Sequence, residues 1–491
     1  AEHLERARQI YAANDMQESP ASGRVWNGLG MVAQGLGDYP EAQRCFTRAL
    51  AIFENAYGSD HPDVSFYLNS LGRAAELNGD DALARTSLER SVQVNLEKLG
   101  AENIRTATSE YYLANFELSQ GERDAAESRL ERCLGLFVAE LGEDHFQVTE
   151  ARGDLARIKE QKHEWKAAEA LLDLALDSNG EGFNPTTRAT LQAHRARLHL
   201  RQGDYLASCT EALQVEDTAA NQYRLIVQTL SESVSRRFAA ARTNGLSIAL
   251  SALLAQGETT EMAAAAWDRV LRSRGMLLDE LAARRRSVNA TQDSATRQMA
   301  EDLFTARSRL ADMYVRGPGD RNPQQYEAAL DRARQDKQTT ETALAALSAT
   351  FRSIAADRDL GLAEIRSALP TSSALVAYLR FLRIGEESEE PWYCAFVLAD
   401  ETISVVDLGP AAAIDDLIAR WRTGLLEAWA PGGVLAQPGI IANGDLGTRL
   451  RDLVWVPCAA KVSNVETVFI VPDGDLHLLP LAALPSVNGG Y

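Results

Sequence analysis

Residues 26–49 read WNGLGMVAQGLGDYPEAQRCFTRA. Trp26, Leu29 and Gly30, then Tyr39, Ala42, Phe46 and Ala49, recur at offsets of three, four and seven, which puts their side chains on one face of a helix. Gly37 stands between the two runs, at a turn where positive φ is cheap only for glycine. The stretch therefore predicts helix, turn, helix. The small residues Gly30 and Ala42 let the two helices approach closely.

The pattern repeats along the chain. Gly37-Asp38, Gly79-Asp80 and Gly121-Glu122 recur every 42 residues, as do Tyr57-Gly58, Leu99-Gly100 and Leu141-Gly142, and Ala42, Ala84, Ala126 and Ala168 keep the same phase. Leu71-Gly72, Leu113-Ala114 and Leu155-Ala156 hold the packing positions of the later units. His163 stands where the fourth unit calls for glycine, and the unit around Gly203-Asp204-Tyr205 is degenerate. Leu4 and Ala7 take the places of Phe46 and Ala49. Residues 1–13 thus read as the second helix of an earlier unit, and the native protein is expected to begin upstream of Ala1.

These residues resemble the tetratricopeptide repeat over roughly 1–215, in a long-unit variety similar to that of kinesin light chains and of many bacterial regulatory proteins. A stack of such hairpins curves, and the first helix of each unit lines its inner side. That selects Asn27, Met31 and Gln34, then Asn69, Arg73 and Glu76, then Tyr111, Asn115 and Leu118. Asn27, Met31, Asn69, Arg73, Tyr111 and Asn115 are the candidate partner-binding residues of a groove for another protein. The alternative is that they are solvated residues of a purely structural stack.

Residues 216–364 carry no strand pattern and no 42-residue register. Ala263–Arg286, Thr296–Tyr314 and Gln324–Ala356 have helical spacing, broken by Arg316-Gly317-Pro318-Gly319-Asp320-Arg321-Asn322-Pro323. They read as a helical spacer. The character changes near Pro370. Ala374–Leu379, Trp392–Leu398 and Thr402–Val406 read as strands, Ala411–Trp429 and Leu446–Val456 as helices, and Thr467–Val471 as a buried strand bounded by Pro472-Asp473-Gly474. Strand, helix and strand together predict the start of an α/β domain over 365–491. The fold expected is mostly α: an α-solenoid, a helical spacer and the N-terminal part of an α/β domain.

The segment Val468-Phe469-Ile470-Val471-Pro472-Asp473-Gly474-Asp475-Leu476-His477-Leu478-Leu479-Pro480-Leu481-Ala482-Ala483-Leu484-Pro485 resembles the opening motif of the CHAT domain, the caspase-like domain associated with tetratricopeptide repeats. A repeat array in front of it is the usual arrangement of that family. The resemblance implies a caspase-like fold and a cysteine protease with a His/Cys dyad, in which histidine assists the attacking thiolate. It also implies a repeat array that binds an activator or protein substrate. Some relatives act in bacterial defence. The family's histidine and cysteine lie downstream of the motif and match nothing before Tyr491, so no catalytic residue is assigned. A non-catalytic scaffold is the alternative.

Composition narrows the rest. The net charge of −19 over 491 residues disfavours direct contact with phosphate backbones. The only basic run, Arg284-Arg285-Arg286, reads as a solvated helix face or a dock for an acidic partner. No apolar run approaches the ~20 residues of a membrane span, the longest being Leu246–Ala255. Cys45, Cys133, Cys209, Cys394 and Cys458 are scattered without a CxxC pair, which predicts buried thiols in a reducing, cytoplasmic setting. His194 and His199 are five apart and off a common helix face, so no metal site is expected. His477 reads as a solvent-facing residue, and no cofactor is expected.

Overall fold

The computed structural model describes residues 2–178, 185–227, 231–232, 234–236, 244–257, 260–273, 293–316, 323–352, 361–385, 388–428, 444–462 and 465–485. Arg284-Arg285-Arg286 and the core of the break at 317–322 lie outside them. The chain divides into two compact units. One comprises Ala1–His194, Thr218–Thr243 and Gly275–Asp357, the other Arg195–Asp217, Asn244–Arg274 and Arg358–Tyr491.

The first unit holds the repeats. Helix α1 (Glu2–Ala13) precedes four hairpins: α2 (Pro20–Gly35) with α3 (Tyr39–Tyr57), α4 (Val64–Leu77) with α5 (Asp81–Leu99), α6 (Ile104–Ser119) with α7 (Arg123–Leu141), and α8 (Phe146–Gln161) with α9 (Trp165–Leu176). Each first helix ends in the same way. The N–H of Asp38, Asp80, Glu122 and Glu164 reaches back five residues to the carbonyl of Ala33, Ala75, Glu117 and Lys159, at 2.8 Å in every unit. This is the six-to-one bond of a Schellman ending, which requires a left-handed residue just before it. Gly37, Gly79 and Gly121 supply it at φ 73°, 79° and 82°, and His163 adopts the same conformation at 60°. The links between units use Gly58, Gly100 and Gly142, at φ 86–89°.

The hairpins close through one column of contacts. Phe46, Leu88, Leu130 and Leu172 are each at most 2% exposed. Such burial stabilises by roughly 1.5–3 kcal/mol per side chain. The facing position shrinks to match: a Cβ on Gly30 would lie 2.7 Å from the Phe46 ring, and one on Gly72 would lie 2.6 Å from Leu88. The same unit contains the helices Ser294–Arg316 and Pro323–Arg352. There Glu341, 3% exposed, accepts from the Arg307 Nη2 at 2.6 Å.

In the second unit the end of α10 (Pro185–Gln202) pairs with α11 (Tyr205–Val227), where Arg195 grips Glu211 at 2.7 Å. Helix α12 (Gly245–Gln256) and the helical residues 260–273 follow. The sheet has the order β3-β2-β1-β4. Strands β1 (Ser373–Ile384), β2 (Glu389–Ala399) and β3 (Thr402–Pro410) form an antiparallel meander, and β4 (Thr467–Val471) runs parallel to β1. The turn Asp400-Glu401 has φ of 47° and 63°, the double positive φ of a two-residue hairpin turn.

Both sheet faces are covered, which is why β1 and β2 read as near-continuous apolar runs rather than alternating ones. On one face Ala374, Val376, Tyr378, Tyr393, Ala395 and Val397 cluster with Ile414, Leu417, Ile418 and Trp421 of α13 (Ala411–Ala428) and with the α14 (Gly444–Leu450) segment. On the other, Trp267 stacks on Phe396 with centroids 5.4 Å apart. Ser251 on α12 accepts the Ile384 N–H at 2.9 Å. Residues 244–274, which the sequence groups with the spacer, are therefore counted with the sheet. Strand β4 is a correction. It is not a buried strand but an edge strand, with Phe469 43% and Val471 50% exposed.

Candidate partner-binding surface

The first helices α2, α4, α6 and α8 share one surface of the repeat array, joined by side chains at 42-residue spacing. The Asn69 amide donates to Ser109 Oγ at 3.2 Å, and Asn95 donates to the same oxygen at 3.0 Å. Ser109 and Ser91 hydroxyls lie 2.8 Å apart, and Ser91 donates to the Ser65 carbonyl at 3.0 Å. A hydroxyl has two lone pairs and one proton. Ser109 thus accepts from both asparagines and donates to Ser91, so its bonding capacity is filled. Further along, the Tyr111 hydroxyl donates to Asp154 at 2.7 Å, and Arg157 donates to Asn115 at 3.2 Å and to Asp154 at 3.1 Å.

The six candidate residues divide on this surface. Met31 is 60% exposed and Arg73 is exposed. Asn115 is half-buried. Asn27, Asn69 and Tyr111 are 6–7% exposed, because their position points between neighbouring helices and their polar atoms are spent inside the array. Gln34 and Glu76 are partly exposed and Leu118 is buried.

The accessible positions one turn earlier escaped the sequence reading: Arg24, Phe66, Thr108 and Glu150, with Phe66 53% exposed. They keep the same 42-residue interval, so the signal was present. Tyr112 was also missed, and the Arg73 guanidinium lies 5.2 Å from its ring centroid. Burial pushes the Glu150 carboxyl above its ordinary value; Arg73 opposes this and Asp154 adds to it. Burial, reinforced by Asp154, raises Tyr111 well above the usual phenol.

The remaining candidates carry no reactive constellation. All five cysteines are buried. Burial raises the thiols of Cys45, Cys133 and Cys458 to about 12 and that of Cys209 to about 11, so they stay protonated at neutral pH. Among the described residues no group of three His, Cys, Asp or Glu side chains could hold a metal ion. No helix of the described residues is long and apolar enough to cross a membrane. His477 is exposed on the 3₁₀ turn Gly474–Leu478.

The Pro472-Asp473-Gly474 segment is held by its own clasp. Asp473 accepts the Arg380 N–H at 2.6 Å, just past the end of the β1–β4 ladder. The Tyr393 hydroxyl donates to Asp415 at 3.0 Å and accepts the Asp475 N–H at 3.0 Å. Gly474 has φ +57°, and a Cβ there would lie 2.4 Å from that hydroxyl.

The tetratricopeptide repeat family matches residues 22–97 and 105–179, the four hairpins just described. The array is built of tetratricopeptide repeats. Among solved structures, the nearly identical TPR-like repeats of a Podosopora anserina protein described as a kinesin light chain are 23% identical. They cover 42% of this chain and 98% of that one, with a TM-score of 0.34. BtubC (BKLC) from P. vanneervenii is 18% identical over 45% of this chain and 87% of its own, with a TM-score of 0.36. No curated protein matches the chain.

Proposed function

We propose that the tetratricopeptide repeats bind a protein partner across the α2–α8 surface, and that this binding controls a caspase-like cysteine protease to which residues 365–491 contribute the first part. One observation carries the binding half. Met31, Phe66 and Arg73 stay exposed on the first helices while the equivalent positions around them are locked in the array. Exposed large apolar groups beside an exposed guanidinium suit protein contact, where arginine and large apolar side chains are enriched. Asn27, Asn69, Tyr111 and Asn115 then act behind the surface, fixing the spacing of the helices that present it.

The protease half rests on the resemblance of the Val468–Pro485 segment to the CHAT motif. The parallel β1–β4 pair supports it, because the Asp473-Gly474 clasp stands at the carboxyl end of those strands, where open α/β sheets place their sites. The dyad has no assigned counterpart among these residues. A scaffold without catalysis is the second reading, favoured by the burial of every cysteine.

Affinity capture tests the binding half. The full chain and an Arg24→Glu/Arg73→Glu variant of equal melting temperature are incubated with extract of the source organism. A discrete protein retained by the first and lost from the second is the expected result; identical captured sets contradict it. For the protease half, the protein isolated from its source should cleave the captured partner and lose that activity on thiol alkylation. Alkylation-resistant cleavage, or none, leaves the scaffold.

A further inference from the structure

The exposed charges of the repeat surface are unevenly placed. Arg24 on α2 and Arg73 on α4 are both exposed, and among the described residues no carboxylate lies within the 4.0 Å of an ion pair from either. They alternate with apolar groups. Arg24 and Phe66 occupy one repeat position, and Met31 and Arg73 occupy the other. The patch is therefore a checkerboard of two cations and two apolar side chains. The two positions on each helix are seven residues apart, about 10 Å at the helical rise. Tyr112 backs the Arg73 guanidinium from α6, which steadies its plane and leaves its N–H donors directed outward.

The far end of the surface has the opposite sign. Glu150 and Asp154 lie on α8, and Arg157 is already bonded to Asn115 and Asp154. Glu150 is itself in no ion pair among the described residues, and it is desolvated beside Asp154. A uniformly acidic ligand would meet these carboxylates and the anionic protein as a whole, whose net charge is −19. A nucleic acid, with evenly spaced phosphates, would meet the same repulsion.

We infer that the occupant of this surface is an extended peptide segment carrying carboxylates on either side of an apolar side chain over α2 and α4, and a cation over α8. The inference rests on the reading that this surface binds protein. From α4 to α8 is two helix spacings of 8–10 Å, about 20 Å in all. An extended chain covers that in about six residues. The carboxylates pair with Arg24 and Arg73, the apolar side chain lies on Met31 and Phe66, and the cation neutralises Glu150.

The test uses the full chain and three fluorescein-labelled synthetic peptides. The first has Asp and Glu flanking a leucine, followed about six residues later by Lys-Arg. In the second the Lys-Arg pair is replaced by Glu-Glu, and in the third the acidic residues are replaced by serine. Fluorescence anisotropy in about 0.15 M salt, where fields beyond about 8 Å are screened, reads the local pairing. The first peptide is expected to bind at least about ten-fold more tightly than either of the others. Arg24→Ala and Arg73→Ala should each weaken it several-fold, Arg73→Lys less so, and Glu150→Gln should abolish its advantage over the all-acidic peptide.

Equal binding of the first and second peptides overturns the inference, as does binding unchanged by both arginine variants. Circular dichroism melts of each variant guard against misfolding, and the lysine variant keeps the charge if alanine perturbs the fold. If the three peptides bind equally or not at all while the capture difference of the Arg24→Glu/Arg73→Glu variant persists, this inference alone fails. If that difference also vanishes, the binding reading fails with it.

Discussion

His163 holds the left-handed conformation that glycine holds in the three earlier units. For a residue with a Cβ that conformation costs roughly 1–2 kcal/mol. His163→Gly is therefore expected to raise the stability of the array by about 1 kcal/mol, less what the His163–Trp165 edge contact contributes. A shift of the urea midpoint at constant slope measures it, and an unchanged or lower midpoint contradicts it. Glu150 makes a different prediction. Its carboxyl is raised in the folded protein, so the charged form disfavours folding above that value, and the penalty disappears as pH falls through it. Glu150→Gln should melt higher than the parent at pH 7 and level with it near pH 4; a gap that widens on acidification would contradict this. The sequence shows His163 because a broken column is visible without coordinates. It does not show that Asn69 and Tyr111 are buried while Met31 and Arg73 are exposed. All four satisfy the same helical offset, and only the angle between neighbouring hairpins separates them.

At the scale of elements, the hairpins are held by matched bulk. The Gly30 position meets a phenylalanine ring, whereas the equivalent Ala114 and Ala156 belong to hairpins with Leu130 and Leu172 in the facing column. Gly30→Ala is expected to destabilise by about 1–3 kcal/mol through overpacking, and Phe46→Leu in the same chain should recover most of that loss. Additive losses in the double variant would rule out a steric pair. In the sheet unit, Tyr393→Phe removes a hydroxyl that joins Asp415 to the Asp475 N–H. The loss should be about 1–3 kcal/mol, because both partners are left without it. Thermal melting reads it, and a neutral substitution would mean that Asp473 alone fixes the turn. The strands themselves were legible from their β-branched runs. The edge position of β4 was not, because a parallel edge strand and a parallel central strand have the same composition.

On the scale of the whole molecule, the chain is not three successive blocks. Residues 195–217 and 244–274 belong to the unit that contains the sheet. Trp267 and Ser251 cover the sheet face bearing Phe396 and the end of β1. A fragment of residues 365–491 therefore leaves that face bare and is expected to aggregate, whereas residues 195–491 keep the cover; soluble yield and amide dispersion in NMR compare them. A monomeric, folded 365–491 fragment would contradict the assignment. The repeat period could be read from glycines because each marks a backbone conformation. The cover could not, because α12 and residues 260–273 lie more than 100 residues before the strands they protect, with only an apolar helical pattern to mark them. The central claim, that the first-helix surface holds a protein partner, is tested most directly by photocrosslinking. A benzophenone side chain at Phe66, 53% exposed on α4, is compared with one at Leu96, 46% exposed on the second helix α5. A discrete crosslinked partner from Phe66, lost with Arg73→Glu and absent from Leu96, is the predicted result; a partner crosslinked from Leu96 and not from Phe66 would contradict the account.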